Sequence, residues 1–156
     1  MQKQLGIVHV EVDQFHGAGR LPVEERQIER EEWIAAYRAA YRQVETELES
    51  GRSVVFDAVS YRRTQRERIR RIAAKHDVPM TVVYLDVSPA DAKQRLAANR
   101  ENPVRGNVPD ADFAEVAAGM QFPLEDEQVV RYRPNEPVGV WIERVIVPML
   151  APVTAT

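Results

Sequence analysis

The chain has 156 residues, of which 44% are apolar and 29% charged, and its formal net charge at pH 7 is −3. These values predict one soluble globular domain and argue against a general nucleic-acid-binding protein. The absence of cysteine excludes disulfides and cysteine-ligated metals. No apolar run approaches the length of a membrane span, and no secretory signal is recognisable, so we expect a cytoplasmic location without membrane contact.

Short apolar strands alternate with helices along the sequence. Strands are expected at about 7–12, 53–57, 80–87 and 128–132, and the second is a continuous apolar run of the kind buried on both faces of a sheet. This alternation predicts an α/β fold with a mainly parallel sheet and flanking helices. We expect a single domain over residues 1–150 and a disordered tail over 151–156.

Helices are expected between these strands. A long helix from about Ile28 to Ser50 follows the first strand, and a charged helix over about 62–76 follows the second, with Ser60 as its candidate cap. Ser88 and Pro89 predict the start of a third helix, which ends near residues 99–101. A short helix begins at Asp110 or Asp112, and a last helix carries the large apolar residues after 140. The expected buried stripe of the long helix comprises Ile34, Tyr37, Tyr41, Val44 and Leu48.

Two carboxylates stand where predicted strands end. Asp13 follows the first strand and Asp57 follows the second, and the carboxyl ends of strands in an open α/β sheet form the edge where ligands bind. A carboxylate there can accept the proton of an attacking hydroxyl or hold Mg²⁺. The alternative for both is a role in capping the loop that follows.

Several further side chains are candidates for ligand contact. Arg100 and Arg105 lie in and after the third helix, where an arginine-bearing segment could close over a transferring phosphoryl group. The helix over 62–76 carries a run of arginines that is either a solvated face or a site for a phosphorylated substrate, with Arg63 and Arg66 nearest the sheet edge. His16 could contact a substrate, and Asn135 lies where a nucleotide base could sit. Trp33, Tyr37 and Tyr41 could line a substrate pocket, although core packing is their default role.

Four segments, HVEVDQF (9–15), GRSVVFDAVSYRRTQRERIRRIA (51–73), VVYLDVSPADAKQRLAANR (82–100) and WIERVIVPML (141–150), resemble the P-loop small-molecule kinases of the zeta-toxin, chloramphenicol-phosphotransferase and gluconate-kinase type. The resemblance covers nearly the whole chain. It implies ATP and Mg²⁺ as cofactors and a small-molecule hydroxyl as acceptor. It also implies that Asp13 is the base for that hydroxyl, Asp57 a metal-binding carboxylate and Arg100 part of the lid.

The chain departs from that family at one place. The family's first strand, its glycine-rich phosphate loop and its first helix have no counterpart, and the pattern GxxxxGK[ST] does not occur in the sequence. Because the missing strand is central in the family's sheet, its removal leaves an expected gap of roughly 10 Å, or two strand spacings, between its former neighbours. The sheet could close up, a second chain could supply the missing strand and helix, or the reading frame could be truncated. The last is the interpretation we favour.

Three functions follow from this sequence. The first is an ATP-dependent phosphotransferase domain whose nucleotide binding is impaired or lost in this chain. The second is a non-catalytic relative that binds a ligand or partner, and the third is a nucleic-acid-associated protein similar to a polynucleotide kinase. Nucleic acid is the less favoured partner, and an open sheet edge would favour a homodimer.

Overall fold

The computed structural model describes residues 6–15, 29–104 and 106–150 of the chain. Three sequence predictions, for His16, Arg105 and the 151–156 tail, lie outside these residues. The four predicted strands are present, each four residues long, as β1 (Val8–Glu11), β2 (Val54–Asp57), β3 (Val82–Leu85) and β4 (Val129–Tyr132). Residues Val12–Phe15 continue β1 as a 3-10 turn, so Asp13 lies just beyond the strand.

The helices are α1 (Arg30–Glu49), α2 (Arg63–Lys75), α3 (Pro89–Glu101) and α4 (Asp110–Ala118), followed by a C-terminal segment of α5 (Val138–Trp141), a π turn (Ile142–Ile146) and α6 (Val147–Leu150). The start of α3 is as predicted, because Ser88 accepts a hydrogen bond from the Asp91 N–H at 3.1 Å and Pro89 opens the helix. Pro148 accounts for the π turn, since it cannot donate to the carbonyl four residues back. None of the helices in the described ranges is long and apolar enough to cross a membrane.

The cap of α2 differs from the prediction. Arg62, and not Ser60, is the residue at the N-terminal boundary, and its N–H donates to Oε1 of Gln65 at 2.9 Å. The Ser60 carbonyl instead accepts a hydrogen bond from the guanidinium of Arg66 at 3.1 Å. The loop after β2 is therefore held by a side chain of the helix that follows it.

The strands form two separate parallel pairs. β1 pairs with β2, with Val10 opposite Phe56, and β3 pairs with β4, with Leu85 opposite Tyr132. Among the described residues no strand lies between β2 and β3, and these two strands are not paired with each other. The fold is α/β with parallel strands, as predicted, and the described strands form two pairs in place of the single sheet that was expected.

The main core lies between the β1–β2 pair and α1. Val10 and Val12 are each 2% exposed and pack against fully buried Ala36 and Ala40. The prediction that large residues form the buried face of α1 is therefore wrong in part, since Ile34 is 41% exposed. Small side chains at this face let the helix approach the strands closely, while the larger ones pack around the contact. Burial of each valine contributes roughly 1.5–3 kcal/mol.

Candidate functional site

The two predicted carboxylates lie at the same edge of the β1–β2 pair. Asp57 is the last residue of β2 and stands opposite Glu11 of β1. Asp13 follows Glu11 by two residues, in the 3-10 turn that continues β1. The parallel register thus brings both side chains to the carboxyl end of the pair, which is the ligand-binding edge of an open α/β sheet.

Asp57 is oriented by a histidine on the neighbouring strand. Nε2 of His9 lies 3.1 Å from Oδ2 of Asp57, with side-chain exposures of 37% and 60%. The half-buried His9 side chain thus holds one oxygen of the Asp57 carboxylate. Both side chains lie on the face of the strand pair opposite α1, because β1 alternates Val8, Val10 and Val12 toward the helix.

Tyr37 places a neutral hydroxyl group beside Asp13. Burial, followed by the negative field of Tyr41 and then of Asp13, raises the pKa of Tyr37 to about 12. The Tyr37 hydroxyl donates to the carbonyl of Val59 at 3.3 Å, in the loop after β2. The ring therefore joins α1 to the loop that carries the site, and the hydroxyl keeps its proton at neutral pH.

Arg66 lies in the interior of the protein, whereas the sequence predicted that it contacts the substrate. The residue is 4% exposed, and Nε and Nη2 donate to the carboxylate of Glu127 at 2.7 and 2.9 Å. Nη1 donates to the carbonyls of Ser60 and Gln121 at 3.1 and 3.0 Å. With its donors engaged in the interior, Arg66 has a structural role, tying α2 to the 119–127 segment that leads into β4.

Arg63 is also engaged with that segment. It forms a bidentate ion pair with Asp126, and its backbone N–H donates to Oε1 of Gln121 at 2.8 Å. The hydrogen bond from Arg63 holds the pKa of the Asp126 carboxyl below its usual value. Because its side chain is 36% exposed, Arg63 reaches the surface, but a substrate anion would have to displace Asp126.

The other basic residues of α2 have partners as well. Arg70 and Arg71 pair with Glu67, as expected for a solvated, charged helix face. The guanidinium of Arg68 lies 4.7 Å from the centre of the Tyr41 ring, and Lys75 pairs with Glu45 at 2.8 Å. The arginine run is therefore largely neutralised, which weakens the case for nucleic acid as a ligand.

Arg100 holds the connection between α3 and α4. Its guanidinium donates to Oδ1 of Asn107 and to the carbonyl of Val108, both at 3.1 Å, and pairs with Asp110. The hydrogen bond from Arg100 lowers the pKa of the Asp110 carboxyl. Arg100 also borders an open cleft of about 640 Å³ between the two helices, lined further by Leu96 and Phe113.

The remaining predicted ligand residue, Asn135, lies in the exposed turn between β4 and α5. Near this turn the Tyr132 hydroxyl donates to the Glu136 carbonyl at 3.0 Å, and Trp141 Nε1 donates to the Arg131 carbonyl at 3.1 Å. These two bonds fix the C-terminal segment against β4. Asn135 is thus presented to solvent on a well-anchored turn.

Of the two cofactors that the family resemblance implies, the described residues fit Mg²⁺ better than ATP. Asp57 offers Mg²⁺ an accessible oxygen ligand, and no cluster of three or more metal-binding side chains is found in the part of the chain that the structure describes. Mg²⁺ at a phosphotransfer site commonly has only one or two protein carboxylates, the rest being water and phosphate oxygens, so this arrangement fits. The phosphates of ATP fit poorly, because the predicted arginines that the structure describes, Arg63, Arg66 and Arg100, have acidic partners.

Comparison with known proteins gives two results. The family model described as an AAA domain matches residues 1–123, whereas a search of curated proteins found none that matches. A sugar kinase from Janibacter sp. HTCC2649 matches with a TM-score of 0.65 and 20% identity, over 99% of this chain and 87% of its own. A gluconokinase from Sinorhizobium meliloti 1021 matches with a TM-score of 0.64 and 14% identity, over 94% of this chain and 78% of its own. At these identities the likeness concerns the fold.

Proposed function

Since the chain belongs to the AAA domain family and has the fold of P-loop small-molecule kinases, we propose that it is an ATP-dependent phosphotransferase domain. The observation that carries the proposal is the placement of Asp13 and Asp57 at one edge of the β1–β2 pair. The reaction transfers the γ-phosphoryl group of ATP to a small-molecule hydroxyl. Sugars and sugar acids are the first acceptors to test, because the two structural neighbours carry those names.

The roles of the acceptor side follow from the contacts. Asp13 accepts the proton of the attacking hydroxyl, and Tyr37, whose hydroxyl donates to the Val59 carbonyl, holds the loop after β2 at the site. Asp57 holds Mg²⁺, and His9 fixes the orientation of that carboxylate. Bound Mg²⁺ neutralises charge on the phosphate oxygens during transfer.

Further roles on the donor side belong to the same proposal. Arg100 and Arg105 neutralise charge on the transferring group, and Arg100 does so after exchanging Asp110 for a phosphate oxygen. His16 and Arg63 contact the substrate, and Asn135 contacts the nucleotide base. Arg66 is withdrawn from the substrate-binding set because it is buried in its ion pair with Glu127.

Nucleotide binding by this chain alone is expected to be weak. The sequence has no GxxxxGK[ST] loop, whose backbone N–H groups and lysine would cradle the phosphates. This same observation favours one second candidate, a non-catalytic relative that keeps the fold and binds a ligand at the Asp13 edge. A role in nucleic-acid binding receives no comparable support, since the arginines of α2 are paired.

Calorimetric titration with ATP and Mg²⁺, combined with ADP release in the presence of gluconate and a panel of sugars, tests the proposal. We expect weak binding that is abolished by Asp57→Asn and acceptor-dependent ADP release that is abolished by Asp13→Asn. Asp112 is an exposed carboxylate on α4, so Asp112→Asn serves as the matched control and should change neither ATP binding nor ADP release. Binding of Mg²⁺–ATP that survives Asp57→Asn unchanged would refute the metal role, and absence of transfer to every acceptor would favour the binding protein.

A further inference from the structure

The cleft between α3 and α4 has the dimensions of a small-molecule site, and the proposed function uses only Arg100 at its border. Its volume of about 640 Å³ lies within the range of about 300–1,000 Å³ that is typical of ligand pockets. Neither Asp13 nor Asp57 is among its lining residues. The cleft is therefore a candidate binding site in its own right.

Apolar side chains make up most of the lining. Leu96 on α3 is only 8% exposed, and Phe113 on α4 is half-buried. Pro89 at the start of α3 and Ala114 and Ala117 on α4 complete the apolar surface. Because α4 has no buried residue of its own, an apolar ligand in the cleft would bury surface that the helix exposes to water.

The lining positions follow one face of each helix. They recur as 89, 93, 96 and 100 on α3 and as 110, 113, 114 and 117 on α4, which is the spacing of a single helical face. At 1.5 Å per residue these positions span about 16 Å of α3 and about 10 Å of α4. The cleft is therefore elongated along the helices, which suits an extended organic molecule better than a single ion.

The charges of the cleft determine the sign of the ligand. Its ionisable lining residues are Lys93, Arg100 and Asp110, so two cations and one carboxylate give a net charge of +1. Arg100 and Asp110 neutralise each other in an ion pair. Lys93, which is exposed, therefore carries the charge that this pair leaves over, and an ammonium group beside an apolar surface complements a monoanion.

Contacts at both ends of α4 hold the cleft in shape. At the first turn of α4, Asp110 pairs with Arg100 from the last turn of α3. Beyond the last turn, the N–H of Gln121 donates to the carbonyl of Tyr61 at 2.8 Å, in the loop before α2. Because the helix is anchored on both sides, a ligand does not have to order it, and this lowers the cost of binding.

We propose that the cleft between α3 and α4 binds a small carboxylic acid with an apolar body. Its carboxylate contacts Lys93, and its apolar part lies against Leu96 and Phe113. A carboxylate supplies the single negative charge that balances Lys93, while the apolar part gains affinity from the surface that it buries. This site goes beyond the proposed function, because no residue of the carboxyl edge of β1 and β2 takes part in the recognition.

Three ligands that differ in charge but hardly in shape test the proposal. Phenylbutyrate is an anion, phenylbutyramide is neutral and phenylbutylamine is a cation, and each is titrated into the 156-residue chain while amide chemical shifts are followed by NMR. We expect phenylbutyrate to bind about threefold to fivefold more tightly than the amide, and the amine to bind most weakly. Equal affinity for the anion and the amide, tighter binding of the amine, or no saturable binding of phenylbutyrate would overturn the proposal.

A charge variant tests the role of the lysine. Lys93→Gln should weaken phenylbutyrate binding about threefold to fivefold and leave the affinity for phenylbutyramide unchanged. Lys75→Gln is the matched control, because Lys75 pairs with Glu45 and lines an open groove on α2 instead of the cleft. A loss of phenylbutyrate affinity in Lys75→Gln as large as that in Lys93→Gln would refute the assignment.

A second pair of variants tests the apolar surface. Ala117→Phe fills the cleft and should abolish binding of both phenylbutyrate and phenylbutyramide, whereas Ala98→Phe, outside the lining on α3, should leave both affinities unchanged. Both alanines are exposed, so the fold should tolerate phenylalanine at either position. Binding of phenylbutyrate to Ala117→Phe with wild-type affinity would exclude the cleft.

Nuclear Overhauser contacts locate the bound ligand directly. The ring protons of phenylbutyrate should contact the methyl groups of Leu96, Ala114 and Ala117. The groove on α2 is the alternative location for an anion, and its lining includes the methyl-bearing residues Thr64 and Ile72. Contacts to these two residues in place of those in the cleft would refute the proposal.

Discussion

The Arg66–Glu127 ion pair should contribute more to stability than its exposed neighbour, Arg63–Asp126. The side chains of Arg66 and Glu127 are 5% and 8% exposed, against 36% and 53% for the other pair. Removing one partner of a buried pair leaves an uncompensated charge and costs about 3–5 kcal/mol, whereas an exposed pair contributes about 0–1 kcal/mol. We therefore expect Glu127→Gln to reduce the free energy of unfolding several times more than Asp126→Asn.

A double-mutant cycle separates the charge from the packing. Arg66→Met combined with Glu127→Leu replaces both ions by apolar groups, so the double variant should be more stable than either single one. The double variant should not regain the full stability of wild type, because the carbonyls of Ser60 and Gln121 lose their hydrogen-bond donor. Each of these carbonyls costs about 1–3 kcal/mol if it stays buried without a donor. Urea denaturation followed by circular dichroism gives the four free energies.

The pH dependence supplies an independent check with a defined sign. The hydrogen bond from Arg66 lowers the pKa of Glu127 in the folded chain below its usual value of 4.5. The stabilisation is therefore complete above pH 4.5 and is lost as the pH falls through the lowered pKa. The stability difference between wild type and Glu127→Gln should shrink below pH 4.5. Equal costs for the Glu127 and Asp126 variants at pH 7, or a difference that does not change with acid, would refute the reasoning.

Two further predictions concern α1. Ala36→Leu should lower the free energy of unfolding in urea by about 1–3 kcal/mol, because the Ala36 side chain is fully buried against β1. Ala35→Leu at the exposed neighbouring position should change it by no more than about 0.5 kcal/mol. Equal effects of the two variants would show that the helix is not packed through its alanines. Because the pKa of Tyr37 rises from 10.0 to about 12 on folding, its contribution is present below pH 10 and is lost between pH 10 and 12. Tyr37→Phe should therefore lose less stability than wild type between pH 10 and 12. Asp13→Asn should lower the Tyr37 pKa in a spectrophotometric titration. Identical alkaline unfolding of wild type and Tyr37→Phe would contradict this assignment.

The order of elements was accessible from the sequence because local rules determine it. Short strand-like segments followed by aspartate predicted β1 and β2, and Ser88 with Pro89 predicted the start of α3, which the structure confirms. In both cases the signal lies within a few residues of the feature. The carboxyl edge that brings Asp13 toward Asp57 followed from the parallel register alone.

The role of Arg66 was not accessible in the same way. Its partner Glu127 lies 61 residues away, and a basic run on a helix is usually solvated. A signal was nevertheless present in the sequence. Arg66 precedes the apolar residues Ile69 and Ala73 at helical spacing, which places its side chain on the inward face of α2. The alanine face of α1 was missed for a related reason, because hydrophobic periodicity weighs large side chains and overlooks close packing of small ones.

The charges of the site determine what it needs in order to bind a phosphate. Asp13 and Asp57 make the carboxyl edge of β1 and β2 negative, while Arg63 and Arg100, the described arginines assigned to the ligand, are already paired with Asp126 and Asp110. A phosphate approaching this edge would meet repulsion unless Mg²⁺ or an incoming cation offsets it. Nucleotide binding by this chain should therefore depend on Mg²⁺ and be lost when EDTA removes the ion, whereas equal affinity with and without Mg²⁺ in a calorimetric titration would contradict this account of the charges.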